Sequence, residues 1–497
     1  MLGQLLTIIL HFVIRTVFIH TLGKSYLGIS SLFSNILTMI SLADLGVGTA
    51  ILYKLYEPIA KCDTKRIKAL MYFYKWAYRI IGIIAALLGL CFIPFFPIMI
   101  NDYQKFQALG INAIAIFLLY LLQSVSSYLF FAYKSAIIKA NQREYIVNLV
   151  GFFTTIVSGI IQIIFLYLFE NFFVYVAISV LSVIIQNMCC AIIANRMFPY
   201  IKGSSEDRIG KDEIKGIFKD CGALFLYRMN SVVMKSTDNI VLAAFLGMDI
   251  VAIYSNYYIF YTTIKTLVNK VFDAVAHGLG NLHALDTSKH EFEVFETIML
   301  IATIIGATTS VGIFVCADEV IKIWLGFDWV IKQPFSLLFG LEMYTLAVRA
   351  ALSKYRSSMG LFRQSAMRPV LGMIINVLIS VGTVKSLGIC GVLLGTIAAD
   401  WLTFMWLDPL IIYKYGFNNK YSIKGYYFRF IKNFLITCVI AVVDYTICSH
   451  LVMNNALVSC FCHIAICGIS SPIIIIVLSL NSAPGRHLVK IIKNLKK

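Results

Sequence analysis

Charge is what this sequence has least of. Aspartate, glutamate, lysine and arginine make up 13% of its 497 residues, about half of the roughly 25% usual in a soluble domain. Acids are the scarcer sign, 25 against 42 lysines and arginines, for a formal charge of +17. Catalytic signatures are missing as well: there is no GxSxG, no HExxH, no glycine loop ending in GK[ST] and no GxGxxG opening a helix. A non-enzyme with no catalytic residues is expected, and ATP is not an evident energy source. The twelve cysteines form no CxxC pair, and most, such as Cys91, Cys189, Cys190, Cys316, Cys390 and Cys438, lie inside apolar runs where they read as small hydrophobes. Cys460-Phe-Cys462 is the closest pair. His11, His20, His277, His283 and His290 are scattered and read as interfacial or loop residues. No metal and no cofactor is expected.

What is present is apolar length. Hydrophobic residues are 60% of the chain and the mean hydropathy is +0.83. About fourteen stretches approach the roughly 20 residues that cross a bilayer as a helix, at 2–19, 27–52, 76–100, 108–131, 146–168, 172–195, 220–245, 250–275, 294–316, 333–352, 366–384, 388–412, 430–450 and 455–480. Runs such as Ile83 to Leu90 and Ile473 to Leu480 lack the alternation of a barrel strand, so an all-α integral membrane protein is expected. Met1 to Ile19 has no basic start and no small-residue cleavage site, and reads as a retained first helix.

Basic residues follow topology rather than any nucleic-acid surface. The loops after even-numbered spans and the tail hold twenty-nine lysines and arginines, among them Lys65, Arg66, Lys68, Arg196, Lys202, Arg429, Lys490 and Lys493; the opposite loops hold five, Lys24, Lys105, Lys322, Lys332 and Lys385. Short cytoplasmic loops collect positive charge, so both termini are expected in the cytoplasm. The longest inside linker, 196–219, carries Gly203-Ser204-Ser205 and reads as a seam. The expected division is an N-terminal lobe at 1–195, the linker, a C-terminal lobe at 220–412, two additional helices at 413–480 and a basic tail at 481–497. A faint repeat supports two lobes: Leu22-Gly23 precedes Ile29-Ser30-Ser31 much as Leu246-Gly247 precedes Ile253-Tyr254-Ser255, six spans apart and so in the same orientation.

Ionisable residues inside spans are costly, roughly 2.5–3.5 kcal/mol each at the bilayer centre on an insertion scale, so central ones should meet a wet cavity or a partner. Arg79, Lys270 and Lys432 lie near span ends and can snorkel. Arg228, Ser231, Lys235 and Asp238 share one helical face of the seventh span; Glu342, Arg349, Ser353 and Arg356 share one in the tenth. Ser31, Ser34, Asn35, Thr38 and Ser41, ending near Asp44, form an uncharged version in the second. Mid-span cations Arg15, Arg228, Lys235, Lys265 and Arg349 outnumber the central acids Asp238, Glu342 and Asp400, once Asp44 and Asp273 near the ends are set aside; that balance suits an anionic cargo such as a phosphate. The alternative is internal pairing, Lys235 with Asp238 or Glu342 with Arg349, that only joins helices. Tyr254, Tyr257, Tyr258 and Tyr261 share a face with Lys265, as sugar contacts or as an interfacial belt. Asp44, Asp238 and Asp273 are candidates for coupling to protons or sodium.

The run from Leu22 to Leu37 (LGKSYLGISSLFSNIL), with LADLGVG at Leu42 to Gly48 and YKLYEP at Tyr53 to Pro58, resembles the O-antigen and capsular polysaccharide flippases, the polysaccharide transporter family of the multidrug/oligosaccharidyl-lipid/polysaccharide exporter superfamily. STDNI at Ser236 to Ile240, FLG at Phe245 to Gly247 and IYSNY at Ile253 to Tyr257 resemble that family's seventh and eighth helices. The resemblance implies two six-helix lobes around a central cavity plus two C-terminal helices. It further implies translocation of undecaprenyl-pyrophosphate-linked oligosaccharide across a bacterial cytoplasmic membrane, with Arg15, Arg228, Lys235 and Arg349 receiving the pyrophosphate or acidic sugars. Lipid-linked oligosaccharide, membrane lipids, H+ or Na+ and the polysaccharide polymerase machinery are the expected partners. The rivals are a multidrug or cation antiporter of the same superfamily, which should have an acid-dominated cavity, and a peptidoglycan-precursor flippase.

Overall fold

The computed structural model describes residues 2–41, 47–100, 112–201, 209–210, 214, 232, 236–285, 288–361, 363–365, 367–451 and 453–495. Among these, secondary structure is entirely helical. In chain order the main helices are α1 (Leu2–Leu22), α2 (Lys24–Ile40), α3 (Val47–Ala60), α4 (Thr64–Phe92), α5 (Ala113–Leu129), α6 (Ser135–Ala140), α7 (Glu144–Phe169), α8 (Phe172–Met197), α9 (Ser236–Leu246), α10 (Met248–Leu285), α11 (Ser288–Leu325), α12 (Phe335–Ser358), α13 (Arg368–Leu387), α14 (Ile389–Gly416), α15 (Ile423–His450), α16 (Ala456–Ser479) and α17 (Ala483–Leu495). Nine helical segments among the described residues are long and apolar enough to cross a membrane, or ten if the bent pair α5 and α6 is one span. The protein is a multi-pass membrane protein. The expected span at 220–245 lies mostly outside the described residues. The second expected span appears as α2 and α3, and α1 and α9 contribute shorter apolar helices, Leu6–Leu22 and Ser236–Leu246.

Helix starts follow capping chemistry. Asp63 accepts the Arg66 amide hydrogen at 3.1 Å, Asn112 that of Ala115 at 3.0 Å, and Asn171 and Asn455 cap α8 and α16 in the same manner. Two stretches read as loops from their basic residues carry helix among the described residues: α4 begins at Thr64, so Lys65, Arg66, Lys68 and Lys75 ride on a helix, and Lys289 rides on α11, which begins at Ser288. Basic residues therefore do not mark where these helices end.

The chain forms two compact units, Met1–Ala252 and Ile253–Lys497. In the first, α3, α4 and α6 share a core of Ile51, Leu55, Leu70, Met71, Tyr74 and Ile137. The repeat seen in the sequence has a common backbone cause. Gly23, between α1 and α2, has φ +83°, and Gly247, between α9 and α10, has φ +91°, so each glycine breaks a helix in a conformation disfavoured for residues with a Cβ and lets the next begin at once. The two motifs also meet: Ser25 donates to Asp249 at 3.2 Å, each two residues past its glycine. At Gly28 an added Cβ would lie 2.2 Å from the Met248 carbonyl oxygen, the close backbone approach that small residues allow between membrane helices.

In the second unit α12 is the central helix, with 78% of its most apolar window buried. Around it Phe295, Tyr355, Tyr413, Phe417 and Tyr426 pack ring on ring, with Phe295 4.8 Å from Tyr355 and 5.6 Å from Phe417. α13 and α14 are tied by the Asn376 amide donating to Thr396 at 2.9 Å. α14 contains two π-turns, Asp400–Phe404 and Ile412–Gly416, of the kind that recurs where helices present functional side chains.

Candidate functional site

The first π-turn and the residues after it receive the arginines of α12 and α13. Arg349 donates to Asp400 at 2.6 Å and lies over the Phe404 ring at 3.8 Å. Arg368 covers the same ring at 4.3 Å and pairs with Asp408, whose carboxylate is also 3.7 Å from the Arg356 guanidinium. Arg356 donates to Ser365. Asp400, Phe404 and Asp408 thus stand at i, i+4 and i+8 as an acid, a ring and an acid, and interleave with three guanidiniums. Asp408 is fully buried and Arg356 and Arg368 nearly so, whereas the Arg349 side chain keeps 27% of its exposure. The sequence placed Arg349 and Arg356 on one face of α12; the fold adds Arg368 and Asp408, which no helical periodicity links to them. Internal pairing is present: Arg349 donates to Asp400, with Glu342 also within its electrostatic reach. Glu342 is buried two turns away on the same helix.

On α10 the tyrosine face is inward. Tyr254, Tyr257 and Tyr261 are buried, and Tyr254, Tyr258 and Tyr261 stack in sequence at 6.0 and 5.1 Å. Tyr257 is committed locally, donating to Asp318 at 2.7 Å and accepting the Ile331 amide hydrogen at 3.1 Å. Asp318 accepts further from Ser336 at 2.6 Å and Gln333 at 3.0 Å. The Lys265 ammonium sits 5.6 Å from the Tyr261 ring centre. Asp273 pairs with Lys354.

In the first unit Arg15 is half-buried on α1, within electrostatic reach of Tyr175, whose ring packs 5.0 Å from Phe18. Asp238 is buried on α9. Asp44, Arg228 and Lys235 lie outside the described residues. The expected candidates therefore divide between the units: Arg15 and Asp238 in one, and Lys265, Asp273, Arg349 and the four tyrosines in the other.

A feature that span-by-span reading missed lies at α15 and α16. Phe428, Ile431, Leu435, Val439 and Val443 of α15 face Ile474 and Leu478 of α16 across an apolar groove of about 570 Å³. Its one charged wall residue is Lys432, and Lys432 and Leu478 also line a neighbouring cavity of about 80 Å³ that holds Glu296, Arg429, Asn433, Ser479 and Ser482. Arg429 donates to Glu296 there. The cavity has room for several waters. Lys432 and Arg429 carry only a position near a span end in the sequence; what joins them to the groove is the pairing of α15 with α16.

No family model matches the sequence, and no curated protein does. Solved structures do. The lipid II flippase MurJ in its inward closed conformation aligns over 98% of this chain and 99% of its own, with TM-score 0.70 at 12% identity. An inward-facing multidrug resistance MATE family transporter of the MOP superfamily covers 83% of this chain and 96% of its own, with TM-score 0.60 at 16% identity. The MATE multidrug transporter DinF-BH gives TM-score 0.53 at 17% identity, over 83% of this chain and 93% of its own. At such identities the likeness is one of architecture, and the chain has the helical fold shared by a lipid II flippase and the multidrug transporters of the MOP superfamily.

Proposed function

We propose that the protein flips an undecaprenyl-pyrophosphate-linked oligosaccharide, the repeat unit of an O-antigen or capsular polysaccharide, across a bacterial cytoplasmic membrane by alternating access. The observation that carries this reading is the groove between α15 and α16. From Phe428 to Val443 α15 rises about 22 Å, an apolar track for a polyprenyl tail with Lys432 in its wall near one end, beside the polar cavity with Arg429. A sugar pyrophosphate cannot cross hydrocarbon unaided, whereas the tail needs no aqueous path; a tail groove with a cationic end suits such a molecule. Alignment supports the same class. MurJ covers 98% of the chain and the MATE transporter 83%.

In this reading Arg15, Arg228, Lys235, Lys265 and Arg349 are the candidate cations for the anionic headgroup, Arg349 once Asp400 releases it. Tyr254, Tyr258 and Tyr261 offer ring faces to sugars. Asp44, Asp238 or Asp273 couple the cycle to protons or sodium, both termini face the cytoplasm, and the product passes to a polysaccharide polymerase. A cation antiporter needs acids free to bind its cargo, and in the second unit Glu296, Asp318, Asp400 and Asp408 are each engaged by a donor or a cation.

The test is reconstitution into vesicles with a fluorescent polyprenyl-diphosphate glycan and, separately, a cationic dye. Glycolipid in the inner leaflet should become accessible to an external quencher only where the protein is present. Dye transport without glycolipid movement would reject the proposal. A peptidoglycan-precursor flippase is the second reading, favoured by the full-length likeness to MurJ; deletion would then be lethal rather than merely strip surface polysaccharide.

A further inference from the structure

Outside the groove and the arginine cluster, one set of side chains has the donor chemistry of a metal site. His290 and Glu293 stand one turn apart at the start of α11, and α17 brings His487 beside them, so that a ligand atom from each of the three lies within 4.8 Å of the others. The two imidazoles meet edge to face with ring centres 6.0 Å apart. His290 is exposed and His487 half-buried.

A second observation fixes the chemistry of His487. The Thr297 hydroxyl gives its single hydrogen to the Glu293 carbonyl at 2.8 Å, a group that only accepts. The same oxygen is 2.8 Å from His487 Nδ1. With its hydrogen on the Glu293 carbonyl, the Thr297 oxygen accepts from Nδ1–H of His487, which in the neutral imidazole leaves the lone pair on Nε2. An imidazole held by an acceptor on one nitrogen with a lone pair on the other is the arrangement of metal-bound histidines, where the outer partner sets the tautomer.

We propose that His290, Glu293 and His487 bind a divalent transition-metal ion of the zinc type, with water completing the coordination. Two imidazoles and one carboxylate match a borderline ion; magnesium and calcium take oxygen ligands almost alone. Four-coordinate zinc with bonds of 2.0–2.1 Å places its ligand atoms about 3.4 Å apart, so the exposed His290 rotates inward on binding. The ion clasps α17, which has no covalent tie to α11, onto that helix. Ser482 and Pro484, at the start of α17, line the Arg429 cavity, so the clasp also fixes one wall of it. This inference does not depend on what the protein transports.

The test uses the full chain, purified through a tag without histidine, stripped with EDTA and titrated with Zn2+ by calorimetry in detergent. One ion per chain is expected. His487→Ala should lose more affinity than the about 10–100-fold that removal of an outer partner costs, and Thr297→Val should lose about that amount with all three ligands intact. Co2+ should give the intense visible bands of a four-coordinate site, and Zn2+ should slow trypsin at Lys490 and Lys493. Absence of stoichiometric uptake by monodisperse wild-type protein, or unchanged affinity in His487→Ala or Thr297→Val, would overturn the proposal.

Discussion

The clearest energetic consequence of the structure lies at Asp408. This carboxylate is fully buried and faces two guanidiniums whose side chains are each 3% exposed. Asp408→Ala removes the acid and leaves Arg356 and Arg368 as neighbouring buried cations. Breaking a buried pair by deleting one partner costs about 3–5 kcal/mol, or roughly two to four powers of ten in the folding equilibrium. The reverse deletion is different. Arg368→Met leaves Arg356 and Asp408 matched one to one, and loses the direct pair with Asp408 and the stacking on Phe404 at 4.3 Å, for which about 1–2 kcal/mol is expected. The ordering, with Asp408→Ala well beyond Arg368→Met, is thus set by charge count and not by the number of contacts removed. Unfolding of the purified protein in mixed micelles with increasing SDS, followed by circular dichroism, measures both. Equal losses in the two variants, or a loss under about 1 kcal/mol for Asp408→Ala, would refute the view that the carboxylate neutralises a buried arginine pair.

Three further outcomes are expected. Arg349→Lys should fail to restore what Arg349→Ala loses, because only a planar guanidinium both stacks on Phe404 and donates to Asp400; the same SDS titration reads it, with losses of about 1–2 kcal/mol for each. Gly28→Ala should cost about 1–3 kcal/mol through overpacking against the Met248 carbonyl, whereas Gly312→Ala, with nothing within 4 Å of the new Cβ, should be nearly neutral; yield of monodisperse protein after heating separates them. Leu435→Trp with Val439→Trp should fill the groove between α15 and α16 and slow glycolipid flipping by about tenfold or more, with unfolding unchanged; unaltered flipping would remove the groove from the tail's path.

Much of the helical order was readable from the chain. The ends of the apolar runs at 146–168, 172–195 and 455–480 fall within a few residues of α7, α8 and α16, because a helix in lipid must satisfy its own backbone and so declares itself by length alone. The repeat at Leu22-Gly23 and Leu246-Gly247 was visible for a comparable reason: a positive φ needs glycine, and glycine can be read. Helix ends were less legible where basic residues ride on the helix, as at the starts of α4 and α11.

The sequence by itself determined an all-helical membrane protein, the polar face of α12 and the excess of cations, since these follow from composition and from a period of 3.6 residues. Which charge meets which was decided only by tertiary structure. Arg349 lies 51 residues from Asp400, Arg368 lies 40 from Asp408, and His290 lies 197 from His487; helical periodicity relates side chains a few turns apart and says nothing about partners on other helices. The same limit applies to the groove, which belongs to neither α15 nor α16 but to the surface they leave between them.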